Sequence, residues 1–198
     1  MATDIRKIID NLLKFYEFDN QIVISIGAGG GQFIEYGRNS RHVIAIDNDE
    51  VALSKLENTL QNLHLKDKFT LINSDFYEVN EKGDVVLFEF CLHEIKDTET
   101  AINHALTMAP CILITDHWPD SEWAYIVDEK EKVINSWEAL KKFKFKKVRH
   151  YNTVQFFHDY EELFLKVSVQ GENSIKRIGQ YKYKKDFTIP MSYGFALI

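Results

Sequence analysis

Residues Gln21 to Gly31 read QIVISIGAGGG, a short β-branched run that breaks at Gly27 into a glycine-rich turn. Val and Ile favour a pleated, buried strand, and a glycine directly after such a run marks a sharp reversal. Glycines at 27, 29 and 31 let the backbone turn tightly and come close to a ligand, which a Cβ would prevent. The spacing is GxGxG, with Gln32 where a dinucleotide-binding fingerprint would carry its third glycine. A glycine-rich turn without a ligand is the plain alternative.

Working outward, apolar runs alternate with helical patterns. His42 to Ile46 (HVIAI), Phe69 to Ile72, Asp84 to Phe90 (DVVLFEF) and Cys111 to Thr115 (CILIT) read as further strands. Ile5, Ile8, Ile9, Leu12 and Leu13 form one face of a helix within an N-terminal segment 1–19. A second helix follows Asn48 or Asp49 as cap and carries Val51, Leu53, Leu56 and Leu60. A third follows Asp97 and buries Ala101, Ile102, Ala105 and Leu106. A helix near 129–142, a strand near 145–152, a helix near 159–169 and a last strand near 191–198 complete the chain. Such alternation implies parallel pairing through right-handed crossovers, hence an α/β fold with an open, mostly parallel seven-stranded sheet covered on both faces. The length of 198 residues suits a single domain over 1–198.

Composition narrows the function classes. Lys and Arg total 24 against 30 Asp and Glu, giving −6, which argues against a nucleic-acid surface. No run approaches the roughly 18 apolar residues of a membrane span, and the N-terminus lacks a signal-peptide pattern. A soluble, cytoplasmic protein is expected. Cys91 and Cys111 fall at opposite ends of neighbouring strands, about 17 Å apart, beyond the roughly 7 Å that a disulfide spans, so both thiols should be free.

Two acids sit where an open α/β sheet binds ligands, past strand C-termini. Asp47 closes the second strand at the distance from Gly27 where a ribose-binding acid is expected; capping the next helix is the alternative, though Asn48 and Asp49 serve that equally. Asp75 follows the third strand beside Phe76, placed to accept from an adenine amino group while an apolar neighbour covers the ring; turn formation is its plain alternative.

Together these segments resemble the class I S-adenosylmethionine-dependent methyltransferases over roughly Gln21 to His117. The resemblance implies a Rossmann-like fold whose last strand is antiparallel, with an extra helical segment before it. It implies S-adenosyl-L-methionine as cofactor. Gly27, Ala28, Gly29 and Gly31 would then wrap its methionine part, Asp47 and Asn48 would meet the ribose, and Asp75 and Phe76 the adenine. Glu89 and Phe90, in the fourth-strand motif running to His93, would lie alongside the sulfonium. One position departs from the family pattern. Where an acid usually stands two before the first glycine, this chain has Ser25.

Cys91-Leu92-His93-Glu94 and Asp116-His117-Trp118 follow adjacent strands and should meet at one rim. His93 or His117 would act there as general base, with Glu94 beside them. Two histidines and two carboxylates are also a plausible ligand set, but no metal is expected. Trp118, Trp123, Tyr125 and Tyr160 would contact substrate by stacking or cation–π interaction, with packing the plainer role for Trp123 and Tyr125. Lys141 to Lys147 alternates Lys and Phe, which reads as a half-buried strand with lysines in solvent. Segment 158–187 reads as a lid, a homodimer interface or a helix covering the sheet edge. The expected activity is methyl transfer to a small-molecule acceptor. The alternatives are a protein or RNA methyltransferase with a basic partner subunit, and a non-catalytic cofactor-binding module. A nicotinamide-dependent oxidoreductase is disfavoured by Gln32 and Asp75.

Overall fold

The β-branched runs pair side by side because each is apolar on both faces and must be covered twice. In the computed structural model, which describes residues 5–198, the elements run α1 (Ile5–Phe15), β1 (Ile22–Ile26), β2 (His42–Asp47), α2 (Glu50–Asn62), β3 (Phe69–Asn73), β4 (Val85–Glu89), α3 (Thr98–Met108), β5 (Ile112–His117), α4 (Glu122–Ile126), α5 (Lys130–Leu140), β6 (Lys147–Phe157), α6 (Tyr160–Val167), α7 (Glu172–Ile178) and β7 (Phe187–Leu197). The strand order is β3-β2-β1-β4-β5-β7-β6. β1 to β5 pair in parallel, and β7 runs antiparallel between β5 and β6. The direction of winding reverses between β1 and β4, so a crevice opens past their C-terminal ends.

Alternation along the strands sends Val23, Val85 and Leu87 to one face, where α1, α6 and α7 cover them. It sends Ile24, Val86 and Phe88 to the other, under α3 and α5. The helix starts are locally encoded. Asp49 accepts from the amides of Val51 and Ala52 at 2.8 and 3.2 Å, and Asp97 accepts from Thr100 at 3.0 Å. No helix among the described residues is long and apolar enough to cross a membrane. Both cysteines are free.

The C-terminal third departs most from expectation. β6 and β7 pair continuously from Lys147↔Leu197 to Phe157↔Phe187, whereas β5 reaches only Tyr193 to Leu197. The far half of the ribbon is therefore exposed on one edge, its pattern is less apolar, and Pro190 is tolerated there. Of the Lys141–Lys147 run, only Lys147 belongs to a strand. Lys141 and Lys142 pair with Glu138 and Glu99 at 2.6 and 2.5 Å, and Phe143 and Phe145 pack against the α3–α5 core. Segment 158–187 forms α6 and α7, which bury Leu163, Val167 and Ile178 on the α1 side of the sheet.

Gly194 in β7 lies under the indole of Trp118, which a Cβ would strike; the same Cβ would come 3.1 Å from Trp137. Gly194→Ala is expected to cost about 1–3 kcal/mol through overpacking. Denaturant unfolding checks this, and an unchanged midpoint would mean that Trp118 moves aside freely.

Candidate functional site

At the end of β1 the chain turns through Gly27 and Gly31, with φ of +69° and +80°. A Cβ on Gly27 would fall 2.6 Å from Cys91 Sγ, and one on Gly31 would fall 2.7 Å from Leu56 Cδ1. Glycine is thus demanded here by left-handed backbone and by close packing together. Asp47 Oδ2 accepts from the Gly29 amide at 2.9 Å, and Oδ1 accepts from the Asp49 amide at 2.9 Å. Asp47 therefore ties the glycine turn to the start of α2, while the capping itself falls to Asp49.

A cavity of about 470 Å³ opens past the ends of β1, β2 and β4. Gly27, Asp47 and Asn48 line one side; Asp75, Phe76, Glu89 and Phe90 line the rest. Of the residues expected at the cofactor, Ala28, Gly29 and Gly31 are not part of this wall: Ala28 is buried against the α2 core, and Gly29 serves through its amide on Asp47. Asp75 uses one oxygen to accept from the Tyr77 amide at 2.8 Å, so its turn-forming role is real. Tyr77, half exposed on the same wall, went unnoticed in the sequence although it directly follows the Asp75-Phe76 pair.

Glu89 is 6% exposed. Its Oε1 accepts from Ser25 Oγ and, at 2.5 Å, from Tyr36 OH, while Oε2 has no partner. Burial pushes its carboxyl up to about 7, against the pull of the Ser25 and Tyr36 hydrogen bonds. Ser25, standing where the resemblance expects an acid, thus holds one contributed by the neighbouring strand.

The rim is built on Asp116, 2% exposed. It accepts from the His93 amide at 3.1 Å, the His117 amide at 2.7 Å and His93 Nδ1 at 2.6 Å. His93 Nε2 then stands 3.4 Å from both Glu94 Oε1 and Glu129 Oε2, and His117 Nε2 stands 3.7 Å from Glu129 Oε2. The expected convergence of His93, Glu94, Asp116 and His117 is thus present. Burial opposes charge on His93, but the hydrogen bond to Asp116 and the carboxylates of Glu129 and Glu94 outweigh it and raise its pKa to about 11. The His93 hydrogen bond and Lys132 hold Glu94 down at about 2. Burial lowers His117. The carboxylates around His93 favour its protonated form, against the neutral base expected from sequence. Glu129 carried no sequence signal, since only the placement of α5 brings it to the rim.

The four aromatic candidates line neither this cavity nor the adjoining cleft between α3 and α5. Trp118 packs between Trp137 and His150, at ring distances of 4.5 and 5.0 Å. Trp123 is buried beside Phe157. Tyr125 lies under the Arg177 guanidinium at 4.3 Å, and Tyr160 neighbours Phe164. The expected substrate loop is instead a turn leading into α4, because Ser121 Oγ accepts from the Ala124 amide and starts a helix.

No family model and no curated protein sequence matches the chain. Solved structures do. The YcgJ protein from Bacillus subtilis superposes with a TM-score of 0.70 at 13% identity, over 97% of this chain and 96% of that one. A SAM-dependent methyltransferase from Geobacter sulfurreducens in complex with S-adenosyl-L-homocysteine gives 0.63 at 13%, over 98% and 89%. A tRNA methyltransferase from M. jannaschii gives 0.55 at 18%, over 99% of this chain and 50% of that one. The fold is that of the Rossmann-like methyltransferases.

Glu89 makes stability depend on pH. Its carboxyl titrates ordinarily at 4.5 and in the native state at about 7. The stabilisation is complete below 4.5, where both states hold the proton, and is lost as pH rises through 7. Relative to Glu89→Gln, the protein should lose about 3 kcal/mol between those limits. Paired denaturant titrations across this range check it; parallel curves would place the Glu89 pKa at its ordinary value.

Proposed function

We propose that the protein is an S-adenosyl-L-methionine-dependent methyltransferase acting on a small-molecule acceptor. The observation that carries this reading is the unpartnered Glu89 Oε2, buried on the wall of the cavity that also holds Asp47. A buried carboxylate oxygen left without a donor favours a ligand bearing a cation or N–H group. S-adenosyl-L-methionine has both an ammonium and a sulfonium, and when bound it supplies an activated methyl group to the acceptor.

The chain's own residues divide the remaining work. Asp47 keeps lone pairs beyond those given to Gly29 and Asp49, suited to vicinal hydroxyls. Asp75 has an oxygen free of the Tyr77 amide for an amino group, and Phe76 and Tyr77 offer ring surfaces beside it. His93, Glu94 and His117 form the acceptor side, with Glu94 lining both the cavity and the adjoining cleft. A small acceptor is favoured over RNA by the net charge of −6 and by the ion pairs of Lys141 and Lys142, two of the five lysines of the 141–147 run. RNA or protein substrates are the alternative, requiring a basic partner.

Calorimetric titration tests the reading. S-adenosyl-L-methionine and S-adenosyl-L-homocysteine should bind with micromolar affinity and NAD should not. Asp47→Ala should weaken the adenosyl ligands by about 1–3 kcal/mol, the cost of charge-assisted hydrogen bonds. Absence of adenosyl binding would refute the proposal. With methyl-labelled cofactor, label passing into RNA rather than small acceptors would overturn the acceptor class.

A further inference from the structure

The rim cluster brings one imidazole and two carboxylates together at distances longer than hydrogen bonds. His93 Nε2 lies 3.4 Å from Glu94 Oε1 and 3.4 Å from Glu129 Oε2, and ligand atoms of the three residues fall within 4.8 Å of one another. Hydrogen bonds between such groups close to about 2.7–3.2 Å. Atoms arranged tetrahedrally about 2.1 Å from a shared ion instead stand about 3.4 Å apart. The two distances from His93 Nε2 match that separation.

Two of the three members are also oriented from behind. His93 Nδ1 is held by Asp116 at 2.6 Å, which turns Nε2 toward the gap, the carboxylate-backed arrangement typical of metal-bound imidazoles. Lys132 holds Glu94 Oε2 at 2.7 Å and leaves Oε1 facing His93. Both ion pairs of Glu129 are with imidazole nitrogens. His117 adjoins the cluster: it is 7% exposed, and its Nε2 stands 3.7 Å from the same Glu129 oxygen.

We propose that His93, Glu94 and Glu129 bind a divalent first-row transition cation, with His117 beside its fourth position. The mixed nitrogen and carboxylate set suits Zn²⁺, Mn²⁺, Fe²⁺ or Co²⁺ rather than Ca²⁺ or Mg²⁺. Three protein ligands leave one position open, as catalytic sites do. Because Glu94 also lines the cavity of Asp47 and Glu89, an acceptor oxygen taking that position is oriented toward it. This orienting role rests on the methyltransferase reading; the binding of the cation does not.

The test uses the full chain, stripped with a chelator and titrated with Co²⁺, then Zn²⁺. One equivalent of Co²⁺ per chain should bind, with the intense visible absorption of a tetrahedral ion, and Zn²⁺ should displace it. Glu129→Gln should weaken Co²⁺ at least about tenfold, whereas Glu131→Gln, at an exposed position on the same helix, should not. Glu94→Gln, on the more exposed side of the cluster, repeats the measurement should Glu129→Gln fail to fold. No tetrahedral band, or equal affinity in the cluster variants and the parent, would overturn the site. Titrating S-adenosyl-L-homocysteine into the same samples separates the two ideas: binding without Co²⁺ uptake refutes the metal site alone, and Co²⁺ uptake without that binding supports the site while refuting the function.

Discussion

Asp116 is a carboxylate removed from water at the end of a central strand, and three hydrogen bonds make that burial tolerable. Two of the donors are backbone amides, at His93 and His117, so the side chain joins the turn after β4 to the end of β5. The third donor sets the His93 ring. Asp116 thus fixes both histidines of the rim, His93 through ring and amide and His117 through its amide. Glu89 at the end of β4 is its counterpart and its opposite. One of its oxygens is held by Ser25 and Tyr36 and the other has no donor, so Asp116 is fully paired where Glu89 is not.

The turn between these two acids carries its own strain. Phe90 has φ of +52°, a left-handed conformation that costs a bulky residue about 1–3 kcal/mol. Its amide donates to Thr115 O at 2.7 Å, and its ring stacks on Phe33 and meets His117 edge to face. The bend sends Cys91 back against Gly27, where its thiol donates to Ile26 O at 3.2 Å. Burial pushes that thiol well above its ordinary pKa, so it acts as a neutral donor. The glycine turn and the rim are therefore two sides of a single packed junction.

What was legible in the sequence was local. The Gly27 break, the Asp49 and Asp97 caps and the apolar strands each declare themselves within a few residues, and the parallel sheet follows from their alternation. Asp47 and Asp75 were legible through spacing and resemblance, and both reach the cavity wall. Glu129, Trp123 and the Ser25–Glu89 pair were not, because their meaning depends on elements far apart in the chain. Glu129 reaches His93 only through the placement of α5, and Trp123 is withdrawn from any ligand by Phe157 of β6. Ser25 looks like a loss until the neighbouring strand is seen to provide the acid. Tail boundaries were blurred for a related reason, since half of the β6–β7 ribbon lies beyond β5 and lacks the two-sided burial that makes a strand obvious.

The order of the strands also constrains how the molecule assembles. β6 touches the sheet only through β7, which is made later and must slide between β5 and β6. Until residues 187–197 emerge, β5 presents an apolar, unpaired edge and β6 has no partner, while Phe15 of α1 lacks Phe195 and Phe157 of β6 lacks Phe187 to pack against. The five parallel strands can form early around β1, but closure waits on contacts of long sequence separation. During that interval the β5 edge is the part of the chain most open to pairing with another molecule.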